Sequence, residues 1–576
     1  MKKLLALVLA LVMSMSLVTI SNAAFKDADK IDYKEAVDVM NAVGVFIGDE
    51  KGNFNAKENL TREQAAKIIA YLELGSKAAD ALVGSNIFSD VAATRWSAGF
   101  VGYCAQAGVV AGVGDSKFDP AGQLTALQFG KMLLVELGYD AKAAGMVGAD
   151  WAINTSKLMA KAKLMDGIDG SVNQVLTREK AAQMCLNALE APTVEYTTKG
   201  SSISVNGAEI NLGASEPSYV TNTIAKEQTI SSEKLTNNGG YTIELGEKLY
   251  KNLKKISTTD DFGRPANTWR FKGVEVGTFA KTADATYTAD VKLGQIYSDL
   301  GMSDKDEAAP VFVDGVEASE SAKVSKGNDL KVSELKFTNS PVAKCNVGNG
   351  TLVEAYLDED TNDVTIVAIN TYVAEVNKVV AKTNSKDAYI TLSELAAENG
   401  ATSGLRANDE FETTGFENDQ IVLFTYANNE IQSVKAAESA EGTLTRKVSG
   451  KSINLGETKY DFSKMYSVDG GESSLGIDSE YVVYLDANGY AIYVEETEYN
   501  IADYAYLRAL QGSSVAFASD KAALITYDGK MKTVDTKEDY TNDFAGYGSE
   551  LQIGNANSEI VLVKETSNGE IGRAHV

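Results

Sequence analysis

The sequence contains very little histidine and cysteine. Its only histidine, His575, lies next to the C-terminal residue of the 576-residue chain. Acid–base catalysis by histidine and Cys/His zinc sites are therefore excluded if that terminal stretch is not native. Neither G-x-S-x-G nor H-E-x-x-H occurs. The three cysteines, Cys104, Cys185 and Cys345, make no disulfide framework. Apolar neighbours predict that Cys104 and Cys185 are buried thiols, and a single disulfide is the alternative.

Proline and basic residues are also few. Six prolines exclude long proline-rich stalks, and 54 Lys and Arg against 80 Asp and Glu give a formal charge of −26. This charge argues against nucleic acid as a partner, because phosphate binding uses clusters of Lys and Arg. It also disfavours adsorption to anionic lipid. With 44% hydrophobic and 23% charged residues, the composition is typical of a globular protein.

The two ends of the chain are predicted to lie outside the fold. Lys2 and Lys3 precede a mostly apolar run and the small residues Ser21-Asn22-Ala23, so residues 1–23 are predicted to be a secretory signal peptide. A membrane anchor is the alternative, which the short run disfavours, and no membrane insertion is expected after cleavage. Residues 570–576 can be back-translated into a string that resembles a sequencing-library adapter. We therefore expect the native sequence to break off near Gly569.

One short motif occurs three times in the N-terminal third. It begins with a leucine and a threonine and reads Leu60-Thr61-Arg62-Glu63-Gln64-Ala65-Ala66, Leu124-Thr125-Ala126-Leu127-Gln128-Phe129-Gly130 and Leu176-Thr177-Arg178-Glu179-Lys180-Ala181-Ala182. Threonine followed three residues later by glutamine predicts a capped helix start with a capping box. The third copy has Lys180 at that place, so its box is predicted to be absent.

These repeats, together with Phe88-Ser89-Asp90-Val91 and Trp96, resemble S-layer homology repeats, which hold bacterial surface proteins on the cell wall. We predict three repeats at residues 25–80, 88–140 and 147–192, the second with a degenerate motif. The resemblance implies an all-α, three-part pseudo-trimer. The overall fold class is then α + β multidomain, with several small all-β units after the helical part.

An arginine in the first turn of a helix lies beside unpaired backbone N–H groups, which favours a carboxylate ligand. The resemblance implies that grooves between repeats bind pyruvylated secondary cell-wall polysaccharide through this arginine. The candidates are therefore Thr61, Arg62, Glu63, Thr177, Arg178 and Glu179. Because Ala126 and Leu127 replace the arginine and the acid, two competent grooves and one silent groove are expected. Trp96 and Trp151 are candidates for stacking on sugars, with core packing as the alternative.

After about residue 192 the pattern changes to alternation of apolar and polar residues with turn pairs, which predicts β-hairpins. We predict β-barrel or sandwich units over residues 200–345, 346–440 and 441–569. Short helices are expected at 291–295 and 392–396, and the segment 261–269 is expected to belong to a separate unit. Related hairpins are predicted from Val353, Ile421 and Tyr481.

A dense acidic turn follows the first of these hairpin strands. Asp358, Asp360 and Asn362 have the first three ligand spacings of a calcium loop, but its glycine and closing glutamate are missing. A solvated turn is therefore the first interpretation and a weak Ca²⁺ site the second; no other cofactor is expected.

The functional prediction is a non-enzymatic, wall-anchored surface-layer or surface-layer-associated protein of a Gram-positive-type bacterium, which self-associates in a surface lattice. A wall-anchored adhesin or carbohydrate-binding protein is the alternative. An anchored glycoside hydrolase with paired carboxylates is the third hypothesis.

Overall fold

The computed structural model describes most of the chain after the first 24 residues. The described residues are 25–198, 201–205, 208–212, 214–222, 230, 240–302, 309–318, 329–337, 340–359, 361–383, 385–497, 504–511, 521–526, 529–535, 561–565 and 571–573. The predicted signal peptide, Asp360 and His575 lie outside them, and so does the Asn206-Gly207 pair, whose sequence predicts a hairpin turn.

Two compact units divide the chain. The first comprises Met1–Ala437 with Ser463–Met465 and Asp486–Tyr490, and the second comprises the remaining residues from Glu438 onward. The α-helices of the described residues lie in the first unit. They are α1 (Lys34–Ala42), α2 (Arg62–Leu74), α3 (Ser76–Asp80), α4 (Ala98–Gln106), α5 (Ala126–Glu136), α6 (Trp151–Lys161), α7 (Arg178–Glu190), α8 (Leu245–Leu249) and α9 (Leu293–Asp299).

The strands up to the end of the first unit are β1 (Val194–Glu195), β2 (Ser201–Val205), β3 (Ala208–Leu212), β4 (Ser218–Tyr219), β5 (Thr221–Asn222), β6 (Tyr241–Thr242), β7 (Leu253–Thr259), β8 (Pro265–Phe271), β9 (Val274–Ala280), β10 (Ala285–Tyr287), β11 (Val311–Val313), β12 (Val316–Glu317), β13 (Lys336–Phe337), β14 (Ser340–Lys344), β15 (Leu352–Leu357), β16 (Val364–Ile369), β17 (Tyr372–Val380), β18 (Tyr389–Glu394), β19 (Glu410–Glu412), β20 (Ile421–Ala427) and β21 (Glu430–Ala436). Those that follow are β22 (Glu438–Val448), β23 (Ser452–Leu455), β24 (Thr458–Val468), β25 (Glu480–Leu485), β26 (Ala491–Glu496), β27 (Tyr504–Gln511), β28 (Lys521–Thr526), β29 (Met531–Asp535), β30 (Val561–Glu565) and β31 (Ile571–Arg573).

The predicted helix starts are confirmed. Thr61 precedes α2 with an extended backbone, its hydroxyl accepts from the Gln64 N–H at 3.4 Å, and the Gln64 amide oxygen accepts from the Thr61 N–H at 2.9 Å. Thr125 and Gln128 repeat this box at the start of α5. Thr177 occupies the same position before α7, but its side chain makes no capping hydrogen bond. The sequence difference at Lys180 therefore has the predicted structural effect.

Three helix pairs meet around a ring of backbone hydrogen bonds. The Leu60 N–H donates to the Leu176 carbonyl (2.8 Å), the Leu176 N–H to the Leu124 carbonyl (2.9 Å), and the Leu124 N–H to the Leu60 carbonyl (3.1 Å). All three leucine side chains are buried. Because each donates to one neighbour and accepts from the other, the three motifs are arranged cyclically about one point. This ring places the three helix starts close together.

The three-stranded sheet β7-β8-β9 completes the core of the helical part. Trp269 on β8 is fully buried in the same apolar cluster as the helices, and so is Leu253 on β7. The Trp269 indole N–H donates to the Glu35 carboxylate of α1 at 2.7 Å. The prediction that 261–269 belongs to a separate unit is therefore wrong, because Trp269 of this strand packs in the core of the helices.

One sheet of the first unit crosses the predicted domain boundary at 345/346. A five-stranded sheet has the order β10-β15-β16-β11-β12, in which β11 pairs with β16 in parallel. Strands on both sides of the predicted boundary at 345/346 thus share one sheet and one core.

A second five-stranded sheet has the order β19-β18-β17-β20-β21. The helix expected at 291–295 is present as α9, whereas residues 392–394 of the other expected helix lie in β18, so that prediction is wrong.

The hairpins predicted from Val353, Ile421 and Tyr481 are confirmed as β15-β16, β20-β21 and β25-β26. In the second unit, β22-β23-β24-β26-β25 form a closed barrel, as the barrel prediction allowed. Its interior is apolar because alternate residues point inward, among them Leu444, Ile453, Val483 and Val494. A further sheet of the order β29-β28-β27-β30-β31 follows.

The three cysteines are free and buried, which confirms the prediction of buried thiols. Burial raises the pKa of Cys345 to about 11, so this thiol is poorly reactive at neutral pH. Among the described residues no helix is long and apolar enough to cross a bilayer.

A buried carboxyl at the end of α5 makes the stability of the helical part depend on pH. Desolvation raises the pKa of Glu136 from 4.5 to about 8. The negative charge of Glu73 adds to this shift, and the positive charge of Lys248 opposes it. The folded state therefore retains a proton that the unfolded chain releases above about pH 4.5, so the contribution of this group to stability falls as the pH rises towards 8.

We expect Glu136→Gln to match the wild type near pH 4.5 and to unfold with a free energy on the order of 3 kcal/mol higher at pH 8.5. Urea unfolding monitored by helical circular dichroism at both pH values measures this difference. A difference that is the same at both pH values would contradict the assignment of the buried proton to Glu136.

Candidate functional site at the helix starts

The first N–H groups of the three helices are not free. In α2 the N–H groups of Arg62 and Glu63 donate to the carbonyls of Gly122 and Pro120 at 2.9 and 3.0 Å. The first two N–H groups of α5 and of α7 donate in the same way, to the carbonyls of Gln174, Val172, Glu58 and Ala56. The expectation of unpaired backbone donors beside the arginine is therefore wrong. Each helix start instead holds the loop of the next repeat in the ring, and only the side chains remain for a ligand.

Arg62 lies across the loop that precedes α5. Its Nε donates to the Phe118 carbonyl at 2.8 Å, a terminal nitrogen donates to the Ala111 carbonyl at 2.9 Å, and its guanidinium lies 4.6 Å from the centre of the Phe118 ring. These contacts fix the plane of the guanidinium while the side chain stays partly exposed. Desolvation lowers the pKa of Arg62, and Asp119 and Asp90 oppose this shift. A charged donor with unused N–H groups thus faces the space between the repeats.

Arg178 repeats this geometry against the first repeat. Its Nε donates to the Phe54 carbonyl at 3.0 Å, a terminal nitrogen donates to the Ile47 carbonyl at 3.2 Å, and the guanidinium lies 5.1 Å from the Phe54 ring centre. Each arginine therefore uses Nε and one terminal nitrogen on the neighbouring loop. The structure thereby brings together residues that are more than 100 positions apart in sequence.

Two aspartates hold the loops that receive the arginines, and sequence reasoning assigned them no role. Asp90 accepts from the N–H groups of Phe118 and Asp119 at 2.8 and 2.7 Å, and Asp27 accepts from those of Phe54 and Asn55 at 2.6 and 2.8 Å. Desolvation alone would raise the pKa of Asp90, and the two N–H groups lower it below its usual value. The repeated Phe-x-Asp pattern was the available signal, since it places an aspartate before each loop.

Glu63 and Glu179 are buried and already paired. The Glu63 carboxylate receives two hydrogen bonds from Arg95, at 2.7 and 2.8 Å, and one from the Ser97 hydroxyl. The Glu179 carboxylate accepts hydrogen bonds from the Lys57 ammonium and the Asp32 N–H. Both acids therefore tie their helix start to a neighbouring repeat, and their carboxylates do not line open space.

The second motif lacks both charges. Ala126 and Leu127 are buried at the start of α5, so no guanidinium lies between α5 and the loop of residues 167–175. Leu127 fills with apolar atoms the position where Glu63 and Glu179 form ion pairs. Two of the three helix starts therefore carry an arginine and a glutamate, and the start of α5 carries neither.

The two candidate tryptophans differ in exposure. Trp96 is 53% exposed, with its ring centre 6.3 Å from that of Phe100, so core packing is excluded for it. Trp151 begins α6, is partly buried against the helical core, and has the Lys131 ammonium 5.7 Å from its ring centre. Only Trp96 presents a large indole surface to solvent.

The acidic turn after β15 is closed by its own hydrogen bonds. The Thr361 N–H donates to the Asp358 carboxylate at 3.0 Å, and Asn362 has a positive φ of 55°. Asp360 lies outside the described residues, and among the described residues no group of three or more potential metal ligands occurs. Calcium binding here stays a prediction.

The two threonines give a matched stability test. The Thr177 hydroxyl oxygen is buried and has no hydrogen-bond partner, whereas Thr61 caps α2. We expect Thr61→Val to lower the free energy of unfolding by about 1 kcal/mol because the cap is lost. Thr177→Val should be neutral or stabilising by up to about 1 kcal/mol because a buried unpaired hydroxyl is removed. Urea unfolding of both variants measures this, and equal losses would contradict the difference in capping.

Comparisons with known proteins find a family match in the helical part. The S-layer homology domain family matches residues 24–66 and 87–128. The chain is 28% identical over 204 residues to the middle cell wall protein of Brevibacillus brevis, which covers 34% of this chain and 19% of that protein. It is 25% identical over 397 residues to a cell surface protein of Thermoanaerobacter kivui, with 63% and 48% covered. It is 27% identical over 219 residues to the surface layer protein of Brevibacillus choshinensis, with 37% and 19% covered.

The chain thus spans less than half of the length of each of these relatives. Among solved structures, Drosophila Unr CSD456 matches with a TM-score of 0.12 and 11% identity, covering 36% of this chain and all of that one. The matched segments contain Asp27, Asp90 and Arg62, and the second ends at Gln128 of the α5 capping box. The chain is therefore a cell-surface protein that contains S-layer homology domains.

Proposed function

We propose that the chain is a non-enzymatic surface-layer or surface-layer-associated protein that is held on the cell wall by secondary cell-wall polysaccharide. The observation that carries the proposal is the equivalence of Arg62 and Arg178. Both guanidinium groups are fixed by two carbonyls and an aromatic ring of the neighbouring loop, and both keep unused donors.

The polymer chemistry follows from this geometry. A guanidinium held in a fixed plane binds a carboxylate through two parallel hydrogen bonds, which a pyruvate ketal on the polymer would supply. Residues 147–192 act as the third repeat in this proposal, because α6 and α7 complete the ring and bring Arg178 to the first repeat. The groove at Ala126 is silent, since it offers no cation.

The other motif residues have supporting roles. Thr61 caps the start of α2, Thr177 precedes α7 without a side-chain cap, and Glu63 and Glu179 position the loops through Arg95 and Lys57. Trp96, which follows directly on Arg95, offers an exposed indole on which a sugar ring of the same polymer can stack. Trp151 contributes to packing of α6 instead.

In this proposal the region after the β7-β8-β9 sheet mediates self-association. The relatives are named as cell-wall and surface-layer proteins, which supports a structural rather than an enzymatic role. The charge of −26 keeps such a protein soluble before assembly.

Binding to isolated walls tests the anchor. The full chain is used, because a fragment that ends near residue 195 would lack Leu253, Trp269 and Phe279 of the helical core. We expect the chain to sediment with Gram-positive wall sacculi and to stay in solution once the non-peptidoglycan polymer has been stripped chemically. Sedimentation that survives stripping would assign the binding to peptidoglycan, and no sedimentation with intact sacculi would refute the anchor.

A further inference from the structure

A cavity of about 710 Å³ lies in the first unit, away from the helix starts. It is lined by the loop after β7 (259–261), the β11–β12 turn (313–316), the β20–β21 turn (426–429), and Asn370 and Tyr372 between β16 and β17. These segments belong to three different sheets of the first unit. Cavities of about 300–1,000 Å³ hold small organic ligands, so this one has room for about two or three sugar rings.

The walls of the cavity are fixed by packing beneath them. Phe262 of the loop after β7 and Ala427 of the β20–β21 turn share a small apolar cluster with residues of β15 and β16. Gly315 has a φ of +78°, and a Cβ atom there would lie 2.2 Å from the Asp261 carbonyl oxygen. Only glycine permits such a close approach of the β11–β12 turn to the loop after β7. The two loops therefore pack directly against each other, and this packing shapes the cavity without a ligand.

Hydrogen bonds orient the polar groups of the lining. Asp314 accepts from the backbone N–H and the side-chain amide of Asn370, both at 2.8 Å, and from the Tyr372 hydroxyl at 2.9 Å. Asp261 accepts from the side-chain amides of Asn428 and Gln432 at 3.1 and 3.2 Å. Each carboxylate oxygen can accept more than one hydrogen bond, so these acids keep the capacity to accept from a ligand.

The charge of the lining selects against anions. Among the described residues that line the cavity, three are aspartates and none is Lys or Arg. Asp260 pairs with the buried Arg264 at 2.6 Å, so Asp261 and Asp314 supply the net negative charge. An anionic polymer of the kind proposed for Arg62 and Arg178 would be repelled here. Asn346, Asn370, Asn428 and Asn429 supply amides that both donate and accept.

Sugar hydroxyls match such a lining. Each hydroxyl donates one hydrogen bond and accepts others, so adjacent hydroxyls of a ring pair with alternating carboxylates and amides. Phe337, which is partly exposed, adds aromatic surface for the apolar face of the ring. We propose that this cavity binds a neutral oligosaccharide. The proposal is independent of the wall anchor, because it uses different residues and a ligand of different charge.

A glycan array and a blocking variant test this site. The full chain is applied to an array of neutral and anionic oligosaccharides, and the affinity for the retained glycans is measured by titration calorimetry. Val316 lines the cavity from β12 and is 47% exposed, so Val316→Trp fills the opening without disturbing a core. Val274→Trp is the matched control, because Val274 is a strand valine outside the cavity that is 54% exposed.

We expect retention of neutral glycans, with affinity at least tenfold weaker in Val316→Trp and unchanged in Val274→Trp. Asp261→Asn should also weaken binding, since it replaces an acceptor-only group by an amide, and both variants should keep the wild-type Tm. Absence of any retained neutral glycan would refute the proposal. So would binding that Val316→Trp leaves intact, or retention of anionic glycans alone that is lost when Arg62 and Arg178 are replaced.

Discussion

Replacing Arg62 and Arg178 together by alanine is expected to abolish binding of the full chain to wall sacculi, with a loss of affinity of at least about 100-fold. A hydrogen bond to a charged group contributes about 1.5–3 kcal/mol, and 1.4 kcal/mol is a factor of ten, so the loss of one paired guanidinium in each of two grooves accounts for this magnitude. Each single variant should retain weaker binding because one groove remains.

The fold should persist in this double variant. The Arg62 guanidinium contacts two loop carbonyls and one aromatic ring, and the Arg178 guanidinium contacts two loop carbonyls and two aromatic rings. Both side chains are partly exposed. The ring through Leu60, Leu124 and Leu176 and the backbone bonds of the helix starts do not depend on the arginine side chains. We therefore expect a Tm within a few degrees of the wild type, with unchanged helical circular dichroism.

Two controls separate groove chemistry from charge. Arg270→Ala removes an exposed arginine on β8 that pairs with Glu275, so it changes the net charge by the same amount as one groove variant without touching a repeat. Ala126→Arg restores the missing arginine in the second motif. Co-sedimentation with sacculi measures all variants, and unchanged binding by a folded double variant would refute the role of both arginines.

The local features of the helical part were predictable from sequence, and its tertiary contacts were not. Thr61 with Gln64 specifies a capping box because all of its atoms lie within one turn. The carbonyls that fix Arg62 and Arg178 come from residues 49 to 131 positions away. Nothing local indicates that Phe118 and Phe54 receive the guanidinium groups. The helix N–H groups also pair with carbonyls of loops that are far away in the sequence. Free donors were wrongly expected there because no local pattern indicates these partners.

The β-region shows the same division. Hairpins from Val353, Ile421 and Tyr481 were predictable because turn residues and alternation act between neighbouring strands. The boundary at 345/346 was wrong because β11 pairs in parallel with β16, and a parallel neighbour distant in sequence leaves no local signal. Residues 392–394 have apolar and polar residues that fit either a helix or a strand. Pairing with β17 on one side decides for the strand.

The sheet β7-β8-β9 gives the second large effect, through Trp269. This side chain is fully buried between β8 and the helices, and its indole N–H donates to Glu35 on α1. Desolvation raises the pKa of Glu35, and the hydrogen bond from Trp269 opposes this shift by stabilising the charged carboxylate. Truncation to alanine leaves a large cavity and removes one of the hydrogen-bond partners of a buried acid.

We expect Trp269→Ala to lower the free energy of unfolding of the helical part by about 3–5 kcal/mol, the usual cost of removing a buried aromatic side chain. The measurement is urea unfolding followed by circular dichroism at 222 nm, which reports chiefly on the helices. Trp96→Ala is the matched control. Because Trp96 is 53% exposed, its loss should change the free energy by no more than about 0.5 kcal/mol.

The outcome decides whether helices and sheet fold as one cooperative unit. If they do, a substitution on β8 shifts the helical transition itself, because Leu253, Trp269 and Phe279 belong to the same apolar cluster as α1, α2, α5 and α7. A helical transition that is unaffected by Trp269→Ala would mean that the sheet is an independent unit. The helical part, for which wall binding is proposed, would then be separable near residue 195, and the shared core described for it would be refuted.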